Sequence, residues 1–317
     1  MSEIVWYAKQ SRRETREDRH EDLRSAMSPL GSVTPIRSRG PRTAFVLSGG
    51  ASLGALQVGM LRALYEHGVA PDLLVGTSVG ALNAAFVASR PQTPQTAASL
   101  ARVWRGLQRE DVFPVSARAL VAGLCGQRDH LVTDRALRGL VRRHVEFDDL
   151  AEAPVPLHLV AFDVTEGCEV RLSRGSVVDG IAAAAAIPGV FPAVRLGDQC
   201  LIDGGVINNT PISHAVQLGA ERIYVLPTQE ERCPLTGPPR GALDAALYGL
   251  RVLVHGRLEA DLARYSREVE LIVLPAANRT DVQPTDFEHS SRLINGAYAA
   301  ARAHLAGPDQ RIRAAAA

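Results

Sequence analysis

The 317 residues carry 35 lysines and arginines against 34 aspartates and glutamates, with 46% hydrophobic residues and 4 cysteines. The near-neutral balance leaves no electrostatic footprint for nucleic acid, and the length suffices for a full core while standing near the upper bound of one domain. Cys125, Cys168, Cys200 and Cys233 form no Cys-x-x-Cys pair, which argues for free thiols over a zinc site or redox couple; no stretch resembles a secretion signal or bilayer span, so a cytoplasmic protein is expected.

Residues 1–40 contain the mixed-charge run "SRRETREDRHEDLR", followed by a stretch rich in Ser, Pro and Gly. This composition predicts an appended, flexible arm; a short charged helix docking through Trp6 and Tyr7 is the alternative. A single catalytic domain is expected over 41–307 and a short tail over 308–317.

From Thr43 the pattern becomes regular. "TAFVLS" is a short apolar run of the kind expected for a buried parallel strand, and it ends at Gly49-Gly50. "GALQVGMLRALYEHG" spaces Leu56, Met60 and Leu64 four apart, predicting an amphipathic helix that stops at Gly68. "PDLLVG" predicts a second strand and "ALNAAFVAS" a second helix. Residues 93–150 read mainly as helices. Later strands are predicted at "VPLHLVAFDV", "CEVRLS", "QCLI", "RIYVLP" and "VELIVLP", and helices near 176–186, 211–219, 241–264 and 290–306. "PTQEERCPLTGPPRGA" reads as a proline-rich loop. The class expected is α/β with a mostly parallel sheet.

Between the second strand and helix stands Gly76-Thr77-Ser78-Val79-Gly80. A serine in a sharp strand-to-helix turn is projected above the sheet edge, and its neighbours two positions away must be small for the backbone to bend. The following helix directs N–H groups and positive dipole toward the hydroxyl. Ser78 is therefore a candidate nucleophile, against the plainer reading of a glycine-rich turn. The loop Gly49-Gly50-Ala51-Ser52-Leu53-Gly54 lacks the P-loop lysine and the dinucleotide glycine spacing, so N–H donors for a carbonyl oxygen fit it better than a phosphate cradle. A serine needs a base. None of the nine histidines stands in a local catalytic pattern, whereas Asp203 follows the strand "QCLI" and opens "DGGVINNTP", with Gly204 and Gly205 letting the chain turn closely.

Taken in order, "VLSGGASLGALQVGMLRAL", "GTSVGALNA", "AAIPGVFPAV" and "LIDGGVINNTPI" closely resemble the patatin-like phospholipase family over most of residues 43–306. The resemblance implies a three-layer α/β/α hydrolase fold and a dyad without histidine, Ser78 as nucleophile and Asp203 as proton acceptor. It further implies an oxyanion hole carried by Gly49, Gly50 and Ala51, with Gly54, Gly76, Gly80, Gly204 and Gly205 as supports. Two positions depart from the family's pattern. Ala51 stands where a third glycine is usual, and its N–H serves the same purpose only if the position does not demand positive φ. Leu53 stands where a basic residue is frequent, which leaves less support for an anionic headgroup.

The implied chemistry is hydrolysis of lipid or other acyl esters, with neither metal nor cofactor and with contact to a membrane surface at most peripheral. Such a base must be desolvated, and Leu201, Ile202, Val206 and Ile207 are apolar flanks suited to that. Phe191 and Pro192 are candidate neighbours of the acyl site, whereas Asn208, Asn209 and Pro211 read as a turn and helix start. The competing classes are a scaffold protein that has lost catalysis and a Ser-His-Asp esterase using a distant histidine such as His255 or His289.

Overall fold

The computed structural model describes residues 40–114, 129–229, 242–276, 282 and 285–307. The N-terminal arm, most of the proline-rich loop, Cys125, Cys233 and the C-terminal tail lie outside the described residues.

Among the described residues, eight strands form one sheet: β1 (Thr43–Leu47), β2 (Leu73–Thr77), β3 (Leu157–Asp163), β4 (Cys168–Leu172), β5 (Val194–Leu196), β6 (Gln199–Asp203), β7 (Arg222–Leu226) and β8 (Glu270–Val273). Their order is β5-β6-β3-β2-β1-β7-β8, with β4 also paired to β3. The run β3-β2-β1-β7-β8 is parallel, as its short apolar segments predict. Beyond β3 the pairing turns antiparallel, with β4 and β6 both against β3 and β5 against β6. The β5 segment has no counterpart among the predicted strands, since three residues are too few to show a period.

The helices are α1 (Ala55–Glu66), α2 (Val79–Ala88), α3 (Pro94–Gly106), α4 (Arg109–Val112), α5 (Arg135–His144), α6 (Val177–Ala184), α7 (Ile212–Gln217), α8 (Ala242–Tyr265) and α9 (Ser290–Ala306). Alternate strand residues face opposite layers. Phe45, Leu47, Leu74 and Leu226 pack with α1, α2, α3 and α9 on one side. Ala44, Val46, Val75 and Val225 pack with Ile212 of α7 and with Leu258 and Leu262 of α8 on the other. This is the expected three-layer α/β/α arrangement. The α2 helix is buried over most of its surface because it lies under α3 and over the sheet, and its sequence is accordingly apolar all round. The helix expected near 176–186 ends at Ala184, and Ala185–Phe191 form the turn that follows.

Candidate active site

Ser78 occupies the junction of β2 and α2 with φ +55° and ψ −127°, a conformation an L-residue adopts only where its surroundings enforce it. Those surroundings are backbone. A Cβ on Gly76 would stand 2.6 Å from the Gly80 carbonyl oxygen, and one on Gly80 would overlap the Leu47 carbonyl. The glycines are needed because the turn brings three stretches of main chain into contact, which is the steric reason anticipated from the sequence. The Ser78 N–H donates to the Ala184 carbonyl at the end of α6 (2.9 Å).

Asp203 ends β6. Along one edge of β3, Thr77 of β2 pairs with Val160, and Asp203 pairs with the next residue, Ala161. Because β4 occupies the opposite edge over Leu159–Asp163, β2 and β6 must share this one, end to end. The carboxylate therefore arrives where β2 turns away. Its Oδ1 accepts from the Gly205 N–H (2.7 Å), and the Ser78 side chain lies close enough to the carboxylate to hold its pKa down. Asp203 is 4% exposed, and burial pushes its pKa up to about 6 against the opposing effect of the nearby Ser78 side chain and the Gly205 N–H. Of the apolar flanks, Leu201 is buried but Ile207 is 40% exposed. Burial of the carboxylate comes rather from its place within the sheet and from the Ala184–Ala186 segment, whose Ala186 carbonyl accepts the Asp203 N–H (2.9 Å).

The glycine loop begins extended at Ser48 and closes into a 3-10 turn over Ala51–Gly54. The Gly49 N–H is engaged by the Asn209 carbonyl (3.0 Å), while among the described residues the N–H groups of Gly50 and Ala51 meet no acceptor. Ala51 has φ +50°, so the position does take the left-handed conformation, here with an alanine in it. Leu53 is buried in the core, which accounts for an apolar residue there.

The loop is held by polar side chains that sequence reading missed. Thr228 Oγ1 and Asn209 Nδ2 both donate to the Gly49 carbonyl, and the Thr228 N–H donates to Ser48 Oγ (2.9 Å). Gln57 Nε2 donates to the Ser48 carbonyl (2.8 Å), and Asn83 Nδ2 to the Gly54 carbonyl (3.0 Å). In the sequence these are isolated polar residues inside apolar helices or beside a strand end, and only the spacing anomaly of a polar side chain on a buried helix face could have marked them. Asn208 and Asn209 do form a turn ahead of α7, as expected. They also tie it down, with the Asn208 carbonyl accepting from Thr77 Oγ1 (3.1 Å) and its Nδ2 donating to Glu169 (2.9 Å).

From Ser78 opens a cavity of about 90 Å³, lined by Ala51, Leu82, Phe86, Leu100, Trp104, Phe113, Leu140 and Phe191 among others. Phe191 reaches it as expected, stacked on Phe113 with ring centroids 5.4 Å apart, whereas Pro192 is not in its wall. The cavity is apolar but for Ser78, Asn83, Trp104 and His144; burial and the cationic Arg143 and Arg90 hold the His144 imidazole below its ordinary pKa. His289 Nε2 lies 3.6 Å from the Asp286 carboxylate at the start of α9, and the His255 side chain lies outside the described residues. No group of three His, Cys, Asp or Glu that could hold a metal ion occurs among the described residues, and no helix there is long and apolar enough to cross a membrane.

The sequence model described as Patatin-like phospholipase matches residues 45–216. An uncharacterized NTE family protein of Mycobacterium tuberculosis is 30% identical over 175 residues, 55% of this chain and 28% of its own length. Patatin-like phospholipase domain-containing protein 6 of Homo sapiens is 28% identical over 213 residues, covering 67% of this chain. The matched region spans only 14% of that human protein's length. Among solved structures, VipD from Legionella pneumophila superposes with a TM-score of 0.43 at 14% identity over 83% of this chain and 66% of that one. Human GIVD cytosolic phospholipase A2 in complex with methyl gamma-linolenyl fluorophosphonate gives 0.41 at 14% identity over 84% and 58%.

Proposed function

The chain belongs to the patatin-like phospholipase family, and from that premise we propose that it is a serine acyl hydrolase that cleaves carboxylic esters of lipids through Ser78 and Asp203. The observation that carries this reading is a strained serine beside a buried carboxylate at the mouth of an apolar cavity.

Ser78 Oγ attacks the ester carbonyl carbon while its proton passes to Asp203. A base with a pKa near 6 accepts that proton far more readily than a solvated aspartate would. The carbonyl oxygen becomes an oxyanion and lies against the loop Gly49-Gly50-Ala51, where the N–H groups of Gly50 and Ala51 donate and Gly49, tied to Asn209, fixes their direction. The first turn of α2 adds positive dipole. Collapse of the intermediate breaks the bond to the alkoxy oxygen, which leaves with the proton from Asp203. A water then gives its proton to the same carboxylate and attacks the acyl-enzyme, and Ser78 is regenerated. The acyl chain lies in the apolar cavity, and the departing alcohol faces solvent at its mouth.

Purified protein treated with a fluorophosphonate should gain a single adduct by intact mass and should hydrolyse a short chromogenic ester. Ser78→Ala should lose both, and a folded wild type that does neither would falsify the assignment.

A further inference from the structure

A continuous chain of buried hydrogen bonds runs from the wall of the cavity to the glycine loop. The Trp104 indole lines the cavity, and its Nε1–H donates to Asn83 Oδ1 (2.9 Å). Asn83 Nδ2 donates to Gln57 Oε1 (2.8 Å) as well as to the Gly54 carbonyl. Gln57 Nε2 donates in turn to the carbonyls of Ser48 (2.8 Å) and Leu226 (3.1 Å). All three side chains are at most 4% exposed.

The direction of this chain is fixed by its ends. An indole nitrogen only donates and a main-chain carbonyl only accepts, so both amides between them have one orientation that satisfies every bond. Polar side chains in an apolar layer are costly unless each is partnered, and an all-satisfied network of this kind imposes one geometry on whatever it touches. What it touches is Ser48 and Gly54, the two residues that bracket Gly49–Leu53. Plain packing would be served by a leucine or phenylalanine at these positions.

We propose that Gln57, Asn83 and Trp104 are positioning residues for the loop that receives the oxyanion, and that an acyl chain packed against Trp104 braces the loop through them. The inference rests on the hydrolase reading above. Its consequence is that chain length is read in kcat: a longer acyl group improves the alignment of the Gly50 and Ala51 N–H groups in the transition state as well as adding binding area.

The experiment compares wild type, Trp104→Phe and Gln57→Met on p-nitrophenyl acetate, butyrate, hexanoate and octanoate below their aggregation limits, with kcat and KM resolved for each. Trp104→Phe keeps an aromatic wall and removes the donor. Gln57→Met breaks the chain at its other end without touching the cavity, so it separates positioning from chain binding. Wild type kcat should rise with chain length, and both variants should flatten that rise, with kcat on the octanoyl ester about tenfold lower and KM within about twofold. A parallel rise in all three proteins, or a loss confined to KM, overturns the proposal. If one variant fails to fold, the other carries the test. A wild type inert toward every ester defeats the hydrolase reading, and amide hydrogen exchange then decides the positioning claim by itself. Faster exchange over 48–54 in both variants, relative to β7, supports it, and unchanged exchange overturns it.

Discussion

Thr77 and Asp203 are paired with adjacent residues, Val160 and Ala161, on the same edge of β3. The strand that leads into Ser78 and the strand that ends at Asp203 thus abut head-on, and the distance between those two side chains is a matter of sheet register. A slip of one residue would turn Asp203 to the other face. Register of this kind leaves little room for a longer side chain. Asp203→Glu keeps the carboxylate and adds a methylene, and it is expected to lower kcat/KM about 100-fold on a short ester. Activity near wild type would show that the carboxylate need not be placed by the strand.

The proposed dyad also predicts non-additivity. Ser78→Ala should reduce hydrolysis to background, and Asp203→Asn should cost about 1000-fold or more. The double variant should be no slower than Ser78→Ala, because the two residues act as one unit. A further drop in the double variant would mean that they contribute separately.

The pH dependence follows from burial of Asp203. Its pKa near 6 requires kcat/KM to rise with pH through about that value, since the carboxylate must be ionised to accept the serine proton. The sign for stability is opposite. The folded pKa lies above the unfolded value of 3.8, so the folded state binds the proton more tightly. Asp203 therefore contributes stability fully below the unfolded pKa, and that contribution is lost as pH rises through about 6, at a cost of roughly 3 kcal/mol. Asp203→Asn should melt higher than wild type at pH 8, with the difference shrinking toward pH 4. A difference constant across that range, followed by calorimetry, would contradict this account.

Two small residues near Ser78 should respond to substitution in opposite directions. Gly80→Ala places a methyl group against the Leu47 carbonyl, where neither main chain can yield, and is expected to cost at least about 3 kcal/mol by denaturant titration. Ala51→Gly relieves a left-handed alanine and should stabilise the protein by about 0.5 to 1 kcal/mol without lowering turnover. Loss of stability in Ala51→Gly would show that φ +50° carries no strain at this position.

Cavity shape can be tested by filling it. Leu82 lies one turn along α2 from Ser78 and contributes to the wall. Leu82→Trp should raise KM for an octanoyl ester about tenfold while leaving an acetyl ester nearly unchanged. Equal effects on both would place the acyl chain elsewhere.

The elbow and the carboxylate were legible in the sequence because their requirements are local. Two glycines flanking a serine, and an aspartate followed by two glycines, announce tight backbone turns within five residues. The parallel strands and most helices were legible from period and length. The segments of β4 and β6 were legible as strands, but their antiparallel pairing with β3 was not, and β5 is only three residues long. Nor was the support of the glycine loop, because Gln57, Asn83 and Thr228 meet it from three separate elements, and no spacing within any one of them encodes the contact. The position of Ala51 was read correctly as the point where φ matters, but its sign required the structure.

Ser78 and Asp203 both hang by their main-chain N–H groups from the stretch Ala184–Ala186, whose side chains are single methyl groups. The two partners therefore share one mount. A displacement of that stretch carries both in the same direction, so their separation should fluctuate less than either position does. Catalytic alignment of this kind is lost only when the mount itself gives way, and activity should persist on warming until the sheet begins to melt, then fall together with it.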